Sequence, residues 1–137
     1  ISLNESSSQI VGSSHHMENS TFIILAKIDH ILYKARAYNS IMQCAKNLDP
    51  IDSHQCRMGQ WYDDEGKERF GRTNCYNLMR DPHVLVHQKA NKNLTYIQEG
   101  QDRMLENGNE IIDNFKEMES ASDRLFTLLD SMLAENP

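Results

Sequence analysis

Proline and glycine are scarce in this chain of 137 residues, three and six respectively, and nearly all fall outside the periodic segments, which points to helices rather than turn-rich sheet. No unbroken apolar run exceeds five residues, Phe22 to Ala26, far short of the ~20 that a membrane-spanning helix needs. Clusters of Lys and Arg are missing, and the formal net charge is -6, with 14 Lys+Arg against 20 Asp+Glu; a nucleic-acid or anionic-membrane partner is therefore not expected. The start shows no signal-peptide pattern. Cysteine is sparse and odd in number, at Cys44, Cys56 and Cys75, so a disulfide framework is not expected and a cytoplasmic, reducing compartment is. What remains, 39% apolar and 25% charged residues in 15.8 kDa, suits one soluble domain and excludes a multidomain enzyme. The abrupt start at Ile1 reads as a piece cut from a longer protein.

Leu3, Ser7, Ile10, Ser14, Met17, Thr21, Ile24, Ile28, Ile31, Ala35, Tyr38, Met42 and Ala45 recur in alternating steps of four and three, a heptad seam that predicts one long helix. Its first half is thin. Ser and Thr take alternate seam positions up to Thr21, Gly12 interrupts, and seven of the first 20 residues are Ser, so this part is expected to fray without an upstream partner. From residue 22 a second stripe appears, Ile23, Ala26, His30, Tyr33, Ala37, Ile41 and Cys44, apolar except for His30. A helix with two apolar stripes must pack on two sides, which predicts a bundle that also dimerises. Asp49-Pro50 is expected to end this helix, and Asp52 or Ser53 to cap a short one through Cys56, Met58, Trp61 and Tyr62. Residues 63–74 read as a polar connection, followed by a helical turn around Cys75 to Met79. Asp81-Pro82 then supplies an N-cap with Pro at the first helical position. The helix it opens carries His83, His87, Ala90, Leu94, Ile97, Gln101 and Met104 on one seam until Asn107-Gly108, and a last helix aligns Ile111, Phe115, Met118, Ser122, Leu125, Leu129 and Met132. The expectation is an all-α protein: an antiparallel four-helix bundle with a short extra helix, homodimeric, with an extended N-terminal coiled-coil helix.

Histidines on apolar seams are costly if each must find its own partner, whereas one metal ion satisfies several together. His83 and His87, at i and i+4, lie one turn apart on one face. Alone, such a pair is more often packing than ligation. It gains weight from His30 in its apolar stripe and from Cys56 in the first turn of a short helix, where amide dipoles favour a thiolate. Three His and one Cys make a closed tetrahedral set whose softness favours zinc over magnesium, calcium or manganese. A zinc protease needs a glutamate beside the first histidine as general base, and position 84 is Val84, so catalysis is not expected. A hemerythrin-like di-iron site would need carboxylates on the seams, and there are none.

His30, then Cys56-Arg57-Met58-Gly59-Gln60-Trp61-Tyr62, then His83-Val84-Leu85-Val86-His87 resemble the chemoreceptor zinc-binding domain, CZB: a His on the first helix, a Cys followed by a hydrophobe, Gly and an aromatic pair, and an HxxVH on the third. The resemblance covers residues 22 to about 97. Residues 1–21 resemble the end of a chemoreceptor signalling coiled coil, giving domains 1–21 and 22–137. The stretch from Ala26 to Lys34 is similar to receptors carrying the domain at their C-terminus; cyclic-di-GMP-synthesising enzymes carry it at their N-terminus. The resemblance implies a homodimeric four-helix bundle that binds zinc through His30, Cys56, His83 and His87. It further implies a sensory domain of a bacterial chemoreceptor that responds to zinc or to oxidants such as hypochlorous acid, with the cysteine as redox switch. Partners would be a second copy, the upstream signalling helices and, through them, the chemotaxis kinase array.

Duller accounts stand beside these. The runner-up is a metal-free helical interaction module whose histidines are core residues; a zinc hydrolase, with an exchangeable water on the metal, is a third class. Cys44 and Cys75 read as buried thiols without a role. His54, two residues from Cys56, points to the opposite side of a helix and is excluded from the site. Trp61 and Tyr62 read as anchors of the short helix, and Gly59 as room for close approach. His15-His16 continues the heptad phase and reads as inert, and Asn93-Leu94-Thr95 as a chance glycosylation match.

Overall fold

The computed structural model describes residues 3–135, with side chains from residue 17 onward. All regular structure in it is helical: α1 (Leu3–Gln43), α2 (Arg57–Asp63), α3 (Glu65–Phe70), α4 (Asn74–Leu78), α5 (Arg80–Ile97), α6 (Gln101–Glu106) and α7 (Gly108–Glu135). Three helices are long, where the sequence suggested four main helices and one short one. Helix α1 runs without a break from Leu3 through Gly12; the seam side chains at Leu3, Ser7, Ile10 and Ser14, and His15 and His16, lie outside the described side chains.

The core is one stripe from each long helix. Ile23 and Ala26 pack with Leu125, Leu129 and Met132; Tyr33 and Ala37 with Val86, Ala90, Leu94, Met118 and Ala121; Ile41 and Cys44 border Tyr96, Met104 and Ile111. Residue numbers rise together in α1 and α5 and fall in α7, so α1 and α5 run parallel and α7 antiparallel to both. Lys27–Asp130 at 2.6 Å and Lys34–Glu119 at 3.1 Å join α1 to α7 in the same sense. An all-antiparallel order is thus replaced. Two parallel helices need a return path, and residues 44–56 provide it as irregular chain leading back to α2, with Leu48 and Ile51 packed into the core.

Local chemistry sets the boundaries, several of them away from the expected residues. Helix α1 stops at Gln43, six residues before Asp49, because Cys44 turns into the left-handed region at φ 48°. The Ala45 N–H bonds Ser40 O at 3.0 Å and the Cys44 N–H bonds Ile41 O at 3.2 Å, the paired bonds of a Schellman terminus in which glycine is the usual residue. Residues 63–74 hold a helix, α3, since Phe70 is buried against Met58, Met79 and Leu129. Asp81 is not the cap of α5: the His83 N–H already bonds Met79 O at 3.1 Å, and Pro82 sits third in the helix, where its missing N–H costs nothing. The seam from His83 to Met104 is broken after Ile97 by Gly100, whose φ of 93° suits only glycine. The chain reverses there, and α7 returns along α5 over the largest helix interface.

The second stripe of α1 is the buried one. The first is exposed, with Met17, Ile24, Ile28, Ile31 and Met42 each at least 45% accessible. Asn93 is fully buried, donating to Ile111 O and accepting from Asn114, which removes the glycosylation match on structural grounds. Replacing Cys44 by Gly relieves a left-handed β-carbon, a strain worth about 1–2 kcal/mol, partly offset by the greater freedom of glycine in the unfolded chain; Cys44→Gly is expected to raise the urea midpoint modestly, whereas Cys44→Val is expected to lower it.

Candidate metal centre

Three elements converge on one point. His30 comes from the buried stripe of α1, His83 and His87 from consecutive turns of α5, and Cys56 from the end of the return segment. Cys56 is itself the N-cap of α2, where Asp52 or Ser53 was expected: its Sγ accepts the Gly59 N–H at 3.3 Å. Asp52 instead closes the turn before it, accepting the N–H groups of His54 and Gln55. Gly59 is required by close approach of backbone, since a β-carbon there would meet Ser53 O at 1.7 Å. Trp61 stacks on Phe22, ring centroids 4.4 Å apart. Tyr62 and Tyr76 stack at 4.1 Å and exchange hydrogen bonds, each O–H donating to the other's carbonyl. These contacts tie α2 to α1 and α4.

The four potential ligand atoms all lie within 4.8 Å of one another. Cys56 Sγ is 3.3 Å from His83 Nε2 and 4.0 Å from His30 Nε2. All three histidines are at most 4% exposed, and their rings meet edge to face at centroid distances of 5.0–5.5 Å. His54 is not among them; it lies at the surface, 2.8 Å from Asp63. Cys44 is half-buried and Cys75 buried, and neither joins the cluster. Asp29, next to His30, pairs with Arg57 at 3.3 Å, so the cluster holds no carboxylate, and Val84 takes the place where a general base would stand.

Hydrogen bonding fixes two of the imidazoles. His30 Nδ1 is 2.7 Å from Ala26 O and His87 Nδ1 is 3.0 Å from Ile51 O. A carbonyl only accepts, so both Nδ1 atoms carry the proton and both Nε2 lone pairs face the cluster. Burial, reinforced by the neighbouring imidazoles, pushes the pKa of His83 down to about 2, and burial with His30 nearby pushes His87 down to about 4; burial lowers His30 as well. The three rings are therefore neutral. Burial raises the Cys56 thiol; the Gly59 and Met58 N–H groups favour the thiolate as expected, and burial outweighs them.

The donor set fits a metal ion. His87 Nε2 is buried without a hydrogen-bond partner, an arrangement that ordinarily costs about 1–3 kcal/mol and that an ion would reverse. Three neutral imidazoles and a cysteine are a set that zinc takes in closed four-coordinate sites. A surface cavity of about 500 Å³ reaches the cluster from one side, bordered by His30, Tyr33, Cys56, Arg57 and His87.

Sequence reasoning missed the Ile51 carbonyl, and with it Tyr33 and Asn91, which bond around it. Asn91 follows His87 by one turn, a signal that was present; a backbone carbonyl leaves none. Introducing a side chain at position 59 must push Ser53 away from α2. Gly59→Ala is expected to destabilise the protein by about 1–3 kcal/mol in chemical denaturation and to lower its bound zinc.

Residues 30–94 match the family model of the chemoreceptor zinc-binding domain, a span that contains all four clustered residues. Comparison with curated proteins and with solved structures gave no significant match. Over residues 30–94, the stretch that holds all four clustered side chains, the chain is thus similar to the chemoreceptor zinc-binding domain.

Proposed function

We propose that this chain is the zinc-binding sensory domain of a cytoplasmic bacterial chemoreceptor, with His30, Cys56, His83 and His87 as the zinc ligands. The observation that carries the reading is the buried cluster of three neutral imidazoles and one cysteine, with the His87 Nε2 lone pair aimed into it and left unpartnered. The family is sensory rather than catalytic, and a site with four protein ligands keeps no position open for a reacting water. Zinc, when bound, supplies a Lewis-acidic centre that keeps Cys56 as a thiolate and joins three helices.

Each residue then has a task. His30 and His87 present Nε2 because backbone carbonyls hold their Nδ1 protons. Cys56 borders the surface cavity and is the most exposed of the four, at 9%, which supports it as the oxidant-sensitive member. In that reaction the thiolate sulfur loses two electrons to the chlorine of hypochlorous acid; the net products are a sulfenic acid on Cys56 and chloride. A sulfenic acid is a poorer ligand, and α2, tied to α1 through Trp61 and Arg57, would carry the change into α1. Residues 1–21, as the end of the signalling coiled coil, would pass it to the upstream helices and the kinase array.

The exposed first seam of α1 supports a homodimer. Met17, Ile24, Ile28, Ile31 and Met42 continue the heptad steps of four and three with no partner among the described residues. A second copy laid along α1 would give the α1, α5 and α7 of each protomer a fourth long neighbour, the partner's α1. No helix among the described residues is long and apolar enough to cross a membrane.

Three outcomes are expected. Elemental analysis of the purified chain gives one zinc per protomer, and single replacement of His30, Cys56, His83 or His87 by Ala lowers it sharply while circular dichroism stays helical; zinc retained by all four variants would overturn the reading. Hypochlorous acid at one equivalent releases the zinc and adds one oxygen to the peptide that holds Cys56, both reversed by thiol. Oxidation confined to the methionines with zinc retained would remove the redox switch. Ile28→Glu combined with Ile31→Glu turns a dimer into a monomer in sedimentation, whereas Leu105→Glu, also exposed but off the seam, leaves it dimeric.

A further inference from the structure

The return segment 44–56 is irregular backbone lying against the core, and its carbonyls must find donors without a helix of their own. One of them does so in an unusual way. Ile51 O accepts the Asn91 Nδ2–H at 2.8 Å and the His87 Nδ1–H at 3.0 Å, which uses both its lone pairs. The Asn91 amide is oriented in turn, because Tyr33 donates its O–H to Asn91 Oδ1. Nδ2 must face the carbonyl, since two acceptors cannot bond. Tyr33 O–H also lies 3.4 Å from Ile51 O, and its ring is 4.8 Å from that of His87. A chain of bonds thus runs from α1 (Tyr33) to α5 (Asn91), to the return segment (Ile51) and back to α5 (His87).

We propose that Asn91 and Tyr33 are positioning residues for the metal centre: by holding the Ile51 carbonyl they fix the Nδ1–H form of His87 and aim its Nε2 at the other ligands. The inference rests on His87 being a ligand. His30 has no need of such a device, since its carbonyl partner Ala26 belongs to its own helix. His87 depends on a segment without regular hydrogen bonding, and without Asn91 that segment would lose one of the two bonds that register it against α5, leaving only that of His87 itself. Groups of this kind around ligating histidines typically contribute 10–100-fold to metal affinity.

The test uses the 137-residue chain as native, Asn91→Ala, Tyr33→Phe and His87→Ala proteins. Two readouts are taken: zinc affinity by competition with a chromophoric chelator, and the His87 tautomer in metal-free protein by long-range proton–nitrogen NMR. Native protein is expected to show the Nδ1–H form alone. Asn91→Ala is expected to populate both tautomers and to bind zinc about 10–100-fold more weakly, and Tyr33→Phe to move both readouts the same way by less. A fixed tautomer with unchanged affinity in Asn91→Ala, while His87→Ala loses zinc, would overturn the proposal. Native affinity in His87→Ala would instead overturn the ligand assignment, and the tautomer would then decide the positioning role by itself. Should Asn91→Ala fail to fold, Tyr33→Phe carries both readouts, and no change in either overturns the proposal.

Discussion

Three uncharged imidazoles and a thiol buried at one point are the interaction on which the rest of the structure depends. Imidazoles at most 4% exposed have given up water, and each has two ring nitrogens to satisfy. For His30 and His87 a backbone carbonyl takes one; the second nitrogen of each faces only the cluster. Without a shared cation the His87 Nε2 has no partner at all. The cost falls on folding when the site is empty and turns into binding free energy when it is filled, so ligation and stability are linked in this fold.

That linkage bears on where the four clustered residues come from. Two of them share α5, a helix pinned along α7 by the most extensive interface in the molecule. His30 sits on α1, whose other face lies open. Cys56 sits at the junction of the irregular segment and a seven-residue helix, the part of the site with the least regular hydrogen bonding. Rigid and yielding elements therefore meet at one point. Under the proposed function, a change at Cys56 would cost little backbone order and move α2 against α1, while His83 and His87 would stay with the α5–α7 pair. Under that function, free energy applied at the metal would be directed toward α1, the helix that leads to residues 1–21.

Much of the site was legible because helical periodicity carries it. His83 and His87 at i and i+4, and His30 in an otherwise apolar stripe, place three side chains on buried faces from spacing alone. Cys56 was legible through its motif. Helix α3 was not, because a six-residue helix of Glu, Gly, Lys, Glu, Arg and Phe has no periodic face, and only the burial of Phe70 organises it. The break at Gly100 was hidden by a heptad phase that continues through Met104, which lets a long helix and a short one pass for one. The parallel course of α1 and α5 was illegible for a different reason: periodicity reports which face is buried and not which way a helix runs. With the return segment unrecognised, the carbonyl that orients His87 could not be anticipated.

The central claim is that these four side chains bind one zinc ion in a closed site, and the most direct test is zinc-edge X-ray absorption on the purified chain. The account predicts a first shell of three nitrogens at about 2.0–2.1 Å and one sulfur at about 2.3 Å, with outer-shell scattering from three imidazoles. A shell of oxygen and nitrogen alone, or one sulfur with fewer imidazoles and a bound water, would contradict it.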